Sequence, residues 1–544
     1  MTPHRREPWP LRPVPADLAA KYVEPGWWDH RSLGALVHEG LAESGELGFA
    51  VHSQTRPWRG TMGEVGRSAR AFAAGLVERG IASGDVVVVQ LPNWKEAAVA
   101  FWGAAYAGVV VVPVVHFYGA KELRFILGAT EPALLVTPRE FGAIDFVQNL
   151  ERVVAELGTT WAILGDDAGP VPAGALPFDA LLSSRPLVDP VEVDLDGPAV
   201  IAFTSGTTRD PKGVIHSHRT IGFEARQSAV MSLVGTVPPI TAAPVGHFIG
   251  MLSAFLGSLV RRVPINLVDV WDPGRVLRLM TEEDVGLSGG APYFFTSLLE
   301  HPDFTPGHLR HLPTAGMGGA PVPAPFTHRL ADLGIPVMRC YGSTEHPSIT
   351  GCSFDEDEAK RLDTDGHALP GVEVRIDEDG QIFSRGPDLC LGYTDPELTA
   401  AAFDADGWYR TGDIGVLDDD GFLTITDRIS DIIIRGGENI SAQEVEEQIL
   451  LLPAIAEVAV VAEPDERMGE RSVAVVRVAS GASSPTLREL QAHLGAVGLA
   501  KQKWPESVRV VTDLPRTPSG KVQKFRLRAQ LRAGSLEHEV DAEP

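Results

Sequence analysis

Hydroxyl-bearing residues and glycine are concentrated in the segment TSGTTRDPKGVIHSH, which runs from Thr204 to His218. The apolar run that ends at Phe203 predicts a strand, so the hydroxyls and backbone N–H groups after it come together at a strand end, where anions can be held. The ordinary P-loop does not fit, because Pro211 stands in place of its second glycine and Lys212 precedes glycine rather than Ser or Thr. From these residues alone, a phosphate-binding loop and a plain surface turn both remain open.

Further segments combine glycine with residues that bind phosphate, sugar or metal, and they follow in this order: GGAPVP (318–323), YGSTE (341–345), GWYRTGDIG (407–415), DRISDIIIRGGENI (427–440) and PRTPSGKVQK (515–524). Each has a plain alternative. A Thr-Glu pair such as Thr344-Glu345 often just begins a helix, and Lys521 has basic neighbours that are typical of a solvated tail. The dinucleotide fingerprint is excluded for GMGGAP, because Pro321 stands where Gly or Ala is required.

Taken together and in this order, the segments resemble the motifs of the adenylate-forming superfamily of acyl-CoA synthetases, carrier-loading adenylation domains and luciferases, whose phosphate loop runs TSGTTGxPKG. The resemblance extends from Thr204 to Lys524, and the residues before Thr204 fit more loosely. The whole chain is most similar to stand-alone medium-chain and cyclic or aromatic carboxylate:CoA ligases. This resemblance implies two steps: acid and ATP give acyl-AMP and pyrophosphate, and CoA then gives acyl-CoA and AMP.

The resemblance also implies roles for individual residues. Thr344 would hydrogen-bond the α-phosphate, Glu345 would help to hold Mg²⁺, and Lys521 would bridge the substrate carboxylate and phosphate oxygens as the catalytic lysine. The β- and γ-phosphates of ATP would be held by Thr204, Ser205, Gly206, Thr207, Thr208 and Lys212.

The adenosine and CoA sites follow from the same resemblance. Asp413 would accept hydrogen bonds from the ribose hydroxyls with assistance from Arg428, and His247 would lie at the pantetheine tunnel and acyl pocket. Adenine would be flanked by Gly318, Gly319, Ala320 and Tyr341. Gly436 and Gly437 would approach pantetheine after a rotation of the C-terminal domain that withdraws Lys521.

Two residues depart from the family pattern. Arg209 replaces the usual glycine of the phosphate loop, which costs roughly 1 kcal/mol if that position needs a positive φ. Ser430 occupies the hinge position at which many members carry Asp or Lys. Neither departure removes a catalytic group.

The residues after the tunnel segment read His247-Phe248-Ile249, without the aspartate with which amino-acid-activating members bind the substrate amine. No carrier-protein motif follows Lys524, so free CoA is the expected acceptor. The predicted acyl pocket is lined by His247 to Met251, Ser288 to Tyr293, Gly316 to Gly318 and Glu345 to Ser348. Three alternatives remain: an adenylating enzyme that loads a separate carrier protein, a luciferase-like oxygenase, and a catalytically silent ligand-binding homologue.

The elements that must position these residues are typical of an α/β fold. Apolar runs such as DVVVVQL, ALLVT and AVIAF alternate with helical stretches such as KELRFILGA, which predicts helix-covered parallel sheets. Asp-Gly turns predict hairpins in VLDDDGFLTI and IDEDGQIFS, and Ser441 with Glu444 predicts a capping box. We therefore expect a large multi-lobed N-terminal domain (1–427), a hinge (428–430) and a smaller mobile α+β C-terminal domain (431–544) that carries Lys521.

The bulk composition limits partners and location. The chain of 544 residues has a net charge of −25 and a pI near 5.0, which argues against nucleic acid as a partner. Cys340, Cys352 and Cys390 lack CxxC spacing and leave one cysteine over in any disulfide pairing, which favours a cytoplasmic protein. The longest apolar run, 108–115, is far shorter than the roughly 18 residues of a membrane span. The oligomeric state is open, with a homodimer as one alternative.

Overall fold

A computed structural model describes residues 9, 11–165, 172–204, 211–231, 237–465, 467–517 and 520–536. Its largest sheet has eight strands, in the spatial order Gly392–Tyr393, Lys212–Ser217, Pro198–Thr204, Val110–Pro113, Val86–Val89, Leu134–Pro138, Trp161–Leu164 and Leu176–Pro177. The six strands from Pro198–Thr204 onward pair in parallel, and their apolar runs are buried on both faces. The predicted parallel sheet is therefore confirmed.

Helices cover this sheet and carry much of the core. The helix Lys95–Tyr106 is the most deeply placed, because every residue from Glu96 to Tyr106 is buried. The other helices of this part of the chain are Ala16–Val23, Leu33–Ser44, Met62–Glu78, Ala120–Thr130, Phe146–Leu157 and His218–Met231. Trp102 packs edge-on against Phe49 and Phe255, which joins this layer to its neighbour.

Two smaller sheets complete the lobes next to the large one. One is formed by Ile240–Thr241, Ile265–Val268, Gly48–His52 and Trp58–Thr61, and the other by the parallel strands Gly289–Gly290, Ala315–Met317 and Val337–Arg339. The helices that accompany them are Phe248–Met251, a π-helical turn Leu252–Gly257, Ser258–Arg261, Pro273–Glu283, Pro292–Leu299, Ala324–Asp332 and Glu358–Asp363. The loops that follow the parallel strands lead into the predicted adenine and acyl segments.

An antiparallel sheet follows, with strands Glu373–Ile376, Gln381–Arg385, Tyr409–Leu417 and Leu423–Arg428. Both predicted Asp-Gly hairpins are present in it. The short strands Thr350–Gly351 and His367–Ala368 pair nearby, as do Glu140–Phe141 and Ile144–Asp145, and the helix Pro396–Ala402 lies between the strands of the antiparallel sheet in sequence.

The C-terminal domain has its own five-stranded sheet, formed by Glu438–Ile440, Ile433–Arg435, Gly469–Val478, Ile455–Asp465 and Ser507–Val510. Its helices are Ala442–Ile449, Leu487–Ala496 and Lys524–Arg532. The predicted capping box is only half formed. Ser441 accepts from the N–H of Glu444 at 3.0 Å, but the Glu444 carboxylate binds Nζ of Lys503 at 2.6 Å instead of the backbone.

The remaining sequence expectations concern cysteines and membrane spans. All three cysteines are free. In the part of the chain that the structure describes, no helix has the length and apolar composition needed to cross a bilayer.

Candidate active site

Asp413 links two neighbouring motifs. It is 3% exposed and stands directly opposite Arg428 in the hairpin Tyr409–Leu417/Leu423–Arg428. Its Oδ1 accepts from Nε of Arg428 at 2.6 Å, and its Oδ2 accepts from the hydroxyl of Tyr341 at 2.7 Å. The Asp413 carboxylate raises the pKa of Arg428, whereas burial and then the same carboxylate raise the pKa of Tyr341. Both partners therefore stay protonated donors, and lone pairs of Asp413 remain for sugar hydroxyls.

Within the segment Gly318 to Ala320, Gly318 packs closely against the backbone that leads into Tyr341. Gly318 follows the strand Ala315–Met317, and a Cβ atom there would lie 2.7 Å from Sγ and 2.8 Å from the carbonyl oxygen of Cys340. Gly319 has φ +73°, a conformation that glycine adopts without strain, and Ala320 comes next. Gly318 thus lies beside the chain that leads into Tyr341, and its role as one wall of an adenine site stays a prediction.

The Glu345 side chain is oriented by a residue that the motifs do not contain. The hydroxyl of Tyr393 donates to Oε1 of Glu345 at 2.8 Å, and the Cys390 N–H donates to the Glu345 carbonyl oxygen at 2.8 Å. Burial, followed by the charge of Glu345, raises the pKa of Tyr393, so the phenol remains a donor. Tyr393 lies in an edge strand, where it pairs with Val214. Val214 follows shortly after Lys212, the last residue of the expected phosphate loop. Glu345 is therefore fixed relative to that segment.

Thr344 is held by the first histidine of the opening segment. Nε2 of His216 lies 2.7 Å from the carbonyl oxygen of Thr344 and Nδ1 lies 3.3 Å from Oγ1 of Thr220, so Nε2 carries the proton. Burial lowers the pKa of His216 to about 4, and its ring packs against Phe248 at 5.0 Å. A neutral imidazole thus positions the Thr344 backbone, and the sequence provided no sign of this contact.

The phosphate-loop segment forms a hairpin in which Thr204, the last residue of its strand, pairs in register with Lys212. The expected phosphate contacts Ser205, Gly206, Thr207 and Thr208, together with Arg209, lie outside the described residues. A Cβ atom at Gly213 would lie 2.8 Å from both Phe203 and Thr394, so this glycine allows the hairpin to pack next to the strand that carries Tyr393. The hairpin therefore brings Lys212 to the same sheet edge as the Glu345–Tyr393 contact.

Lys521 reaches this site from the C-terminal domain. Burial and the nearby Arg428 lower its pKa to about 8, whereas Asp413, Asp431 and Glu345 act in the opposite direction. The turn before it is tightly packed, because a Cβ atom at Gly520 would lie 3.0 Å from Cβ of Tyr293. Lys521 is therefore inside the electrostatic field of the Asp413 and Glu345 cluster.

The lowered pKa of Lys521 predicts an alkaline limit to adenylation. In the role that the resemblance implies, protonated Lys521 attracts phosphate and carboxylate oxygens, so kcat/KM for ATP should fall about tenfold per pH unit above about 8. With an ordinary lysine, whose pKa is near 10.4, the decline in kcat/KM would begin about two pH units higher. Pyrophosphate release measured without CoA avoids titration of the CoA thiol. The Lys521→Arg variant stays charged, and its rate should not fall in this range; an alkaline limit shared by both proteins would contradict the assignment.

The three residues expected at CoA, His247, Gly436 and Gly437, lie in different surroundings. His247 is next to the site, since burial and then the charge of Lys521 lower its pKa to about 4. Gly436 and Gly437 form an exposed turn between Ile433–Arg435 and Glu438–Ile440, with φ of +59° and +90°. The structure therefore brings Lys521 to the Asp413 cluster while the glycine turn faces solvent.

Side chains of the two domains also meet beside Lys521. The Arg516 guanidinium lies 5.1 Å from the ring centre of Tyr293, and Nη2 of Arg477 lies 3.2 Å from Oε2 of Glu300. Arg477 and Arg516 also both bind Glu457. These contacts stabilise the domain arrangement in which Lys521 is inside the site.

If the C-terminal domain rotates as the resemblance implies, removing the Glu300 contact should disfavour the arrangement in which Lys521 is inside the site. We expect Glu300→Gln to slow adenylation about two- to fourfold, because a partly exposed ion pair contributes up to about 1 kcal/mol. Thioester formation from supplied acyl-AMP should stay unchanged or rise. Glu282→Gln, an exposed substitution on another helix, is the matched control. Equal slowing of both half-reactions in Glu300→Gln would contradict a role specific to the Lys521-in arrangement.

Comparison with known proteins identifies the family. A model described as AMP-binding enzyme matches residues 50–394, and a model described as AMP-binding enzyme C-terminal domain matches residues 444–521. The chain belongs to the AMP-binding enzyme family. The predicted adenylate-forming family is thereby confirmed, as are the α/β fold and the smaller C-terminal domain.

Relatives of this AMP-binding enzyme are acyl-CoA ligases. The 3-[(3aS,4S,7aS)-7a-methyl-1,5-dioxo-octahydro-1H-inden-4-yl]propanoyl:CoA ligase of Rhodococcus jostii is 36% identical over 502 residues, covering 90% of this chain and 96% of that protein. The medium-chain fatty-acid–CoA ligase of Escherichia coli is 32% identical over 527 residues, covering 94% and 92%. The crystal structure of ATP-bound MatB from Rhodopseudomonas palustris matches with a TM-score of 0.80 and 28% identity, covering 93% and 100%. The protein is thus an enzyme of the AMP-forming acid–thiol ligase type.

Proposed function

We propose that this AMP-binding enzyme is an ATP-dependent carboxylic acid:CoA ligase acting in two steps. First, a carboxylate oxygen of the acid attacks the α-phosphorus of ATP and pyrophosphate leaves. Second, the sulfur of CoA, whose thiol proton is lost to solvent, attacks the acyl carbon and AMP leaves. The observation that carries the proposal is the position of Lys521 within the field of both Asp413 and Glu345. These residues belong to three separate motifs and two domains, and adenylation requires a cation, a sugar ligand and a metal-binding carboxylate together.

ATP would bind across the motifs assigned to ribose, adenine and phosphate. Asp413 would accept from the ribose hydroxyls while Arg428 keeps its carboxylate oriented, and Tyr341 would stack against adenine opposite Gly318 to Ala320. Thr204 and Lys212, with the loop between them, would hold the β- and γ-phosphates. The burial of Asp413 supports this role. Each of its carboxylate oxygens accepts one hydrogen bond and keeps a second lone pair, and a buried carboxylate is a strong acceptor for hydroxyl groups.

Mg²⁺ fits the residues present at Glu345. Tyr393 occupies one carboxylate oxygen and fixes the side chain, and Mg²⁺ typically binds through one or two carboxylates with phosphate oxygens and water as the other ligands. Bound there, the ion would neutralise phosphate charge. Thr344, whose backbone His216 holds, would present its hydroxyl to the α-phosphate.

Lys521 would act in the first step by attracting the acid carboxylate and the α-phosphate oxygens together. Negative charge that moves onto these oxygens during attack would be stabilised by an ammonium group already desolvated and oriented, so little reorganisation is needed. The neutral His247 beside it would leave the acid carboxylate to Lys521 as its cationic partner.

The second step would use a different domain arrangement. We infer that 1–427 and 431–544 move as two bodies about 428–430, withdrawing Lys521 and bringing Gly436 and Gly437 to a pantetheine tunnel near His247. The exposed position and positive φ of both glycines support this inference. Ser430 is exposed in the turn between the two bodies, where a small polar side chain does not obstruct rotation.

The substrate is proposed to be a medium-chain fatty acid or a cyclic or aromatic acid. The names of the two relatives support this range, because one acts on a bicyclic propanoate and the other on medium-chain fatty acids. Glycines such as Gly290 and Gly316 among the predicted acyl-pocket residues agree with a ring-containing acid, whereas Gly289 packs against the Gly316 backbone, where a Cβ atom would lie 2.6 Å from the Gly316 carbonyl oxygen.

The proposal is tested by AMP release from ATP, Mg²⁺ and CoA with straight-chain, alicyclic, aromatic and steroid-side-chain acids. CoA-dependent AMP release together with thioester formation is the expected result. Acid-dependent ATP–pyrophosphate exchange without thioester would overturn the CoA ligase. It would favour the alternative of an enzyme that loads a separate carrier protein.

A further inference from the structure

Two buried polar side chains on the helix His218–Met231 have no role in the chemistry above. Glu224 is 1% exposed and Gln227 is 8% exposed, and their spacing of three residues places them on one face of the helix. Both bind Ser348. Oε1 of Glu224 accepts from the Ser348 hydroxyl at 3.0 Å, and Nε2 of Gln227 donates to the Ser348 carbonyl oxygen at 3.1 Å.

The second oxygen of each side chain is buried without a hydrogen bond. Neither Oε2 of Glu224 nor Oε1 of Gln227 has a partner within the described ranges. Buried polar atoms are nearly always paired, because an unpaired one loses its hydration without compensation. Because both side chains bind the same residue, Ser348, one polar group of a bound molecule beside that residue would pair both atoms.

Ser348 connects this pair to the proposed active site. It lies three residues after Glu345, within the predicted acyl-pocket lining, and its N–H donates to Oδ2 of the fully buried Asp388 at 3.1 Å. Glu224 also contributes, after burial and Asp365, to the raised pKa of Cys340, the residue against which Gly318 packs. The pair thus lies between two predicted segments of the acyl pocket.

The two free atoms differ in hydrogen-bonding character. Burial and then the charge of Asp388 raise the pKa of Glu224 well above its ordinary value, which favours the protonated carboxyl, and in that form Oε2 is a donor. Nε2 of Gln227 already donates to a carbonyl, so its free Oε1 is an acceptor. The two side chains therefore offer one donor and one acceptor that are not bonded to each other. A hydroxyl group accepts from the first and donates to the second, whereas an alkyl chain would leave both unpaired.

We propose that the acid activated by this ligase carries a hydroxyl group on its carbon skeleton, and that Glu224 and Gln227 bind this hydroxyl and select for it. The inference rests on the proposed ligase function and narrows its substrate from carboxylic acids in general to hydroxy acids. Both residues act on specificity, since neither contacts the groups assigned to adenylation.

The test uses matched pairs of acids that differ only in one hydroxyl, across alicyclic and aromatic skeletons with the hydroxyl at successive ring positions. AMP release by the full-length protein gives kcat/KM for each acid. For at least one skeleton and position, the hydroxy acid should be preferred by about a hundredfold or more, because a site built to bind a hydroxyl strongly rejects the analogue without it. Glu224→Leu and Gln227→Leu should each reduce that preference at least about tenfold, mainly through KM of the hydroxy acid.

Controls separate specificity from folding. Glu151→Leu, on the exposed side of the helix Phe146–Leu157, should keep the wild-type preference, and Glu224→Gln should recover part of it because its amide can donate to the hydroxyl. The wild-type preference is itself a test that needs no variant. Equal activity with both members of every pair, a preference unchanged in the two leucine variants, or stronger activity with amino than with hydroxy acids would overturn the inference alone. Absence of AMP release with every acid would overturn the ligase function and the inference with it.

Discussion

Replacing Lys521 with alanine should reduce acyl-adenylate formation about a thousandfold while leaving ATP and acid binding nearly intact. The ammonium group is placed where charge develops in the transition state, and removal of one such preorganised donor typically costs about a hundred- to a thousandfold in kcat. Its loss leaves the Asp413–Arg428 and Glu345–Tyr393 contacts in place. Acid-dependent ATP–pyrophosphate exchange measures this half-reaction.

The thioester half-reaction is the internal control for Lys521→Ala. Synthetic acyl-AMP and CoA should still give acyl-CoA at close to the wild-type rate, because the proposed second step occurs after Lys521 has withdrawn. Lys501→Ala, an exposed lysine of the same domain, should leave both half-reactions unchanged. Normal pyrophosphate exchange in Lys521→Ala would refute the role assigned to this lysine.

Asp413→Asn should raise KM for ATP about a hundredfold. Both Asp413 oxygens accept hydrogen bonds, from Arg428 and from Tyr341, so an amide group must turn its NH₂ towards one of these donors. The substitution thus removes a ribose acceptor, loses one internal hydrogen bond and leaves the Arg428 guanidinium without its anionic partner. ATP binding by calorimetry and KM from pyrophosphate release should agree.

The neighbouring Asp419→Asn provides the comparison for Asp413→Asn. Asp419 is exposed in the turn of the same hairpin, so its substitution changes the formal charge equally without touching the buried cluster. It should leave KM for ATP within about twofold of the wild-type value. An effect of similar size in both variants would indicate a general charge effect and exclude a specific ribose contact.

Much of this arrangement is predictable from local patterns. The Asp-Gly turn signal between Val416 and Ile425 predicts a hairpin, and the observed pairing places Asp413 opposite Arg428. The apolar run before Thr204 likewise predicts the buried strand that delivers the phosphate loop. Such features depend on residues close together in the chain, for which hydrophobic alternation and turn chemistry are sufficient guides.

The supporting contacts are not predictable in this way. Tyr393 reaches Glu345 across 48 positions and His216 reaches Thr344 across 128, and both contacts depend on how separate layers pack. The capping box at Ser441 shows the same limit, because Lys503 takes the Glu444 carboxylate from a distant turn. For the pair Glu224 and Gln227, helical spacing indicates a shared face but not that this face is buried beside Ser348.

The hairpin that pairs Asp413 with Arg428 also bears on the order in which products leave. Asp413 lies within the large domain, and Arg428 is the last residue of its strand before the turn that leads to the C-terminal domain. The proposed rotation, if it takes place beyond Arg428, would withdraw Lys521 without breaking the Asp413–Arg428 contact, so the proposed ribose ligand would stay in place after pyrophosphate has gone. The nucleotide half of the adenylate should therefore remain anchored while CoA attacks, which makes AMP a competitive inhibitor towards ATP and one of the last products released.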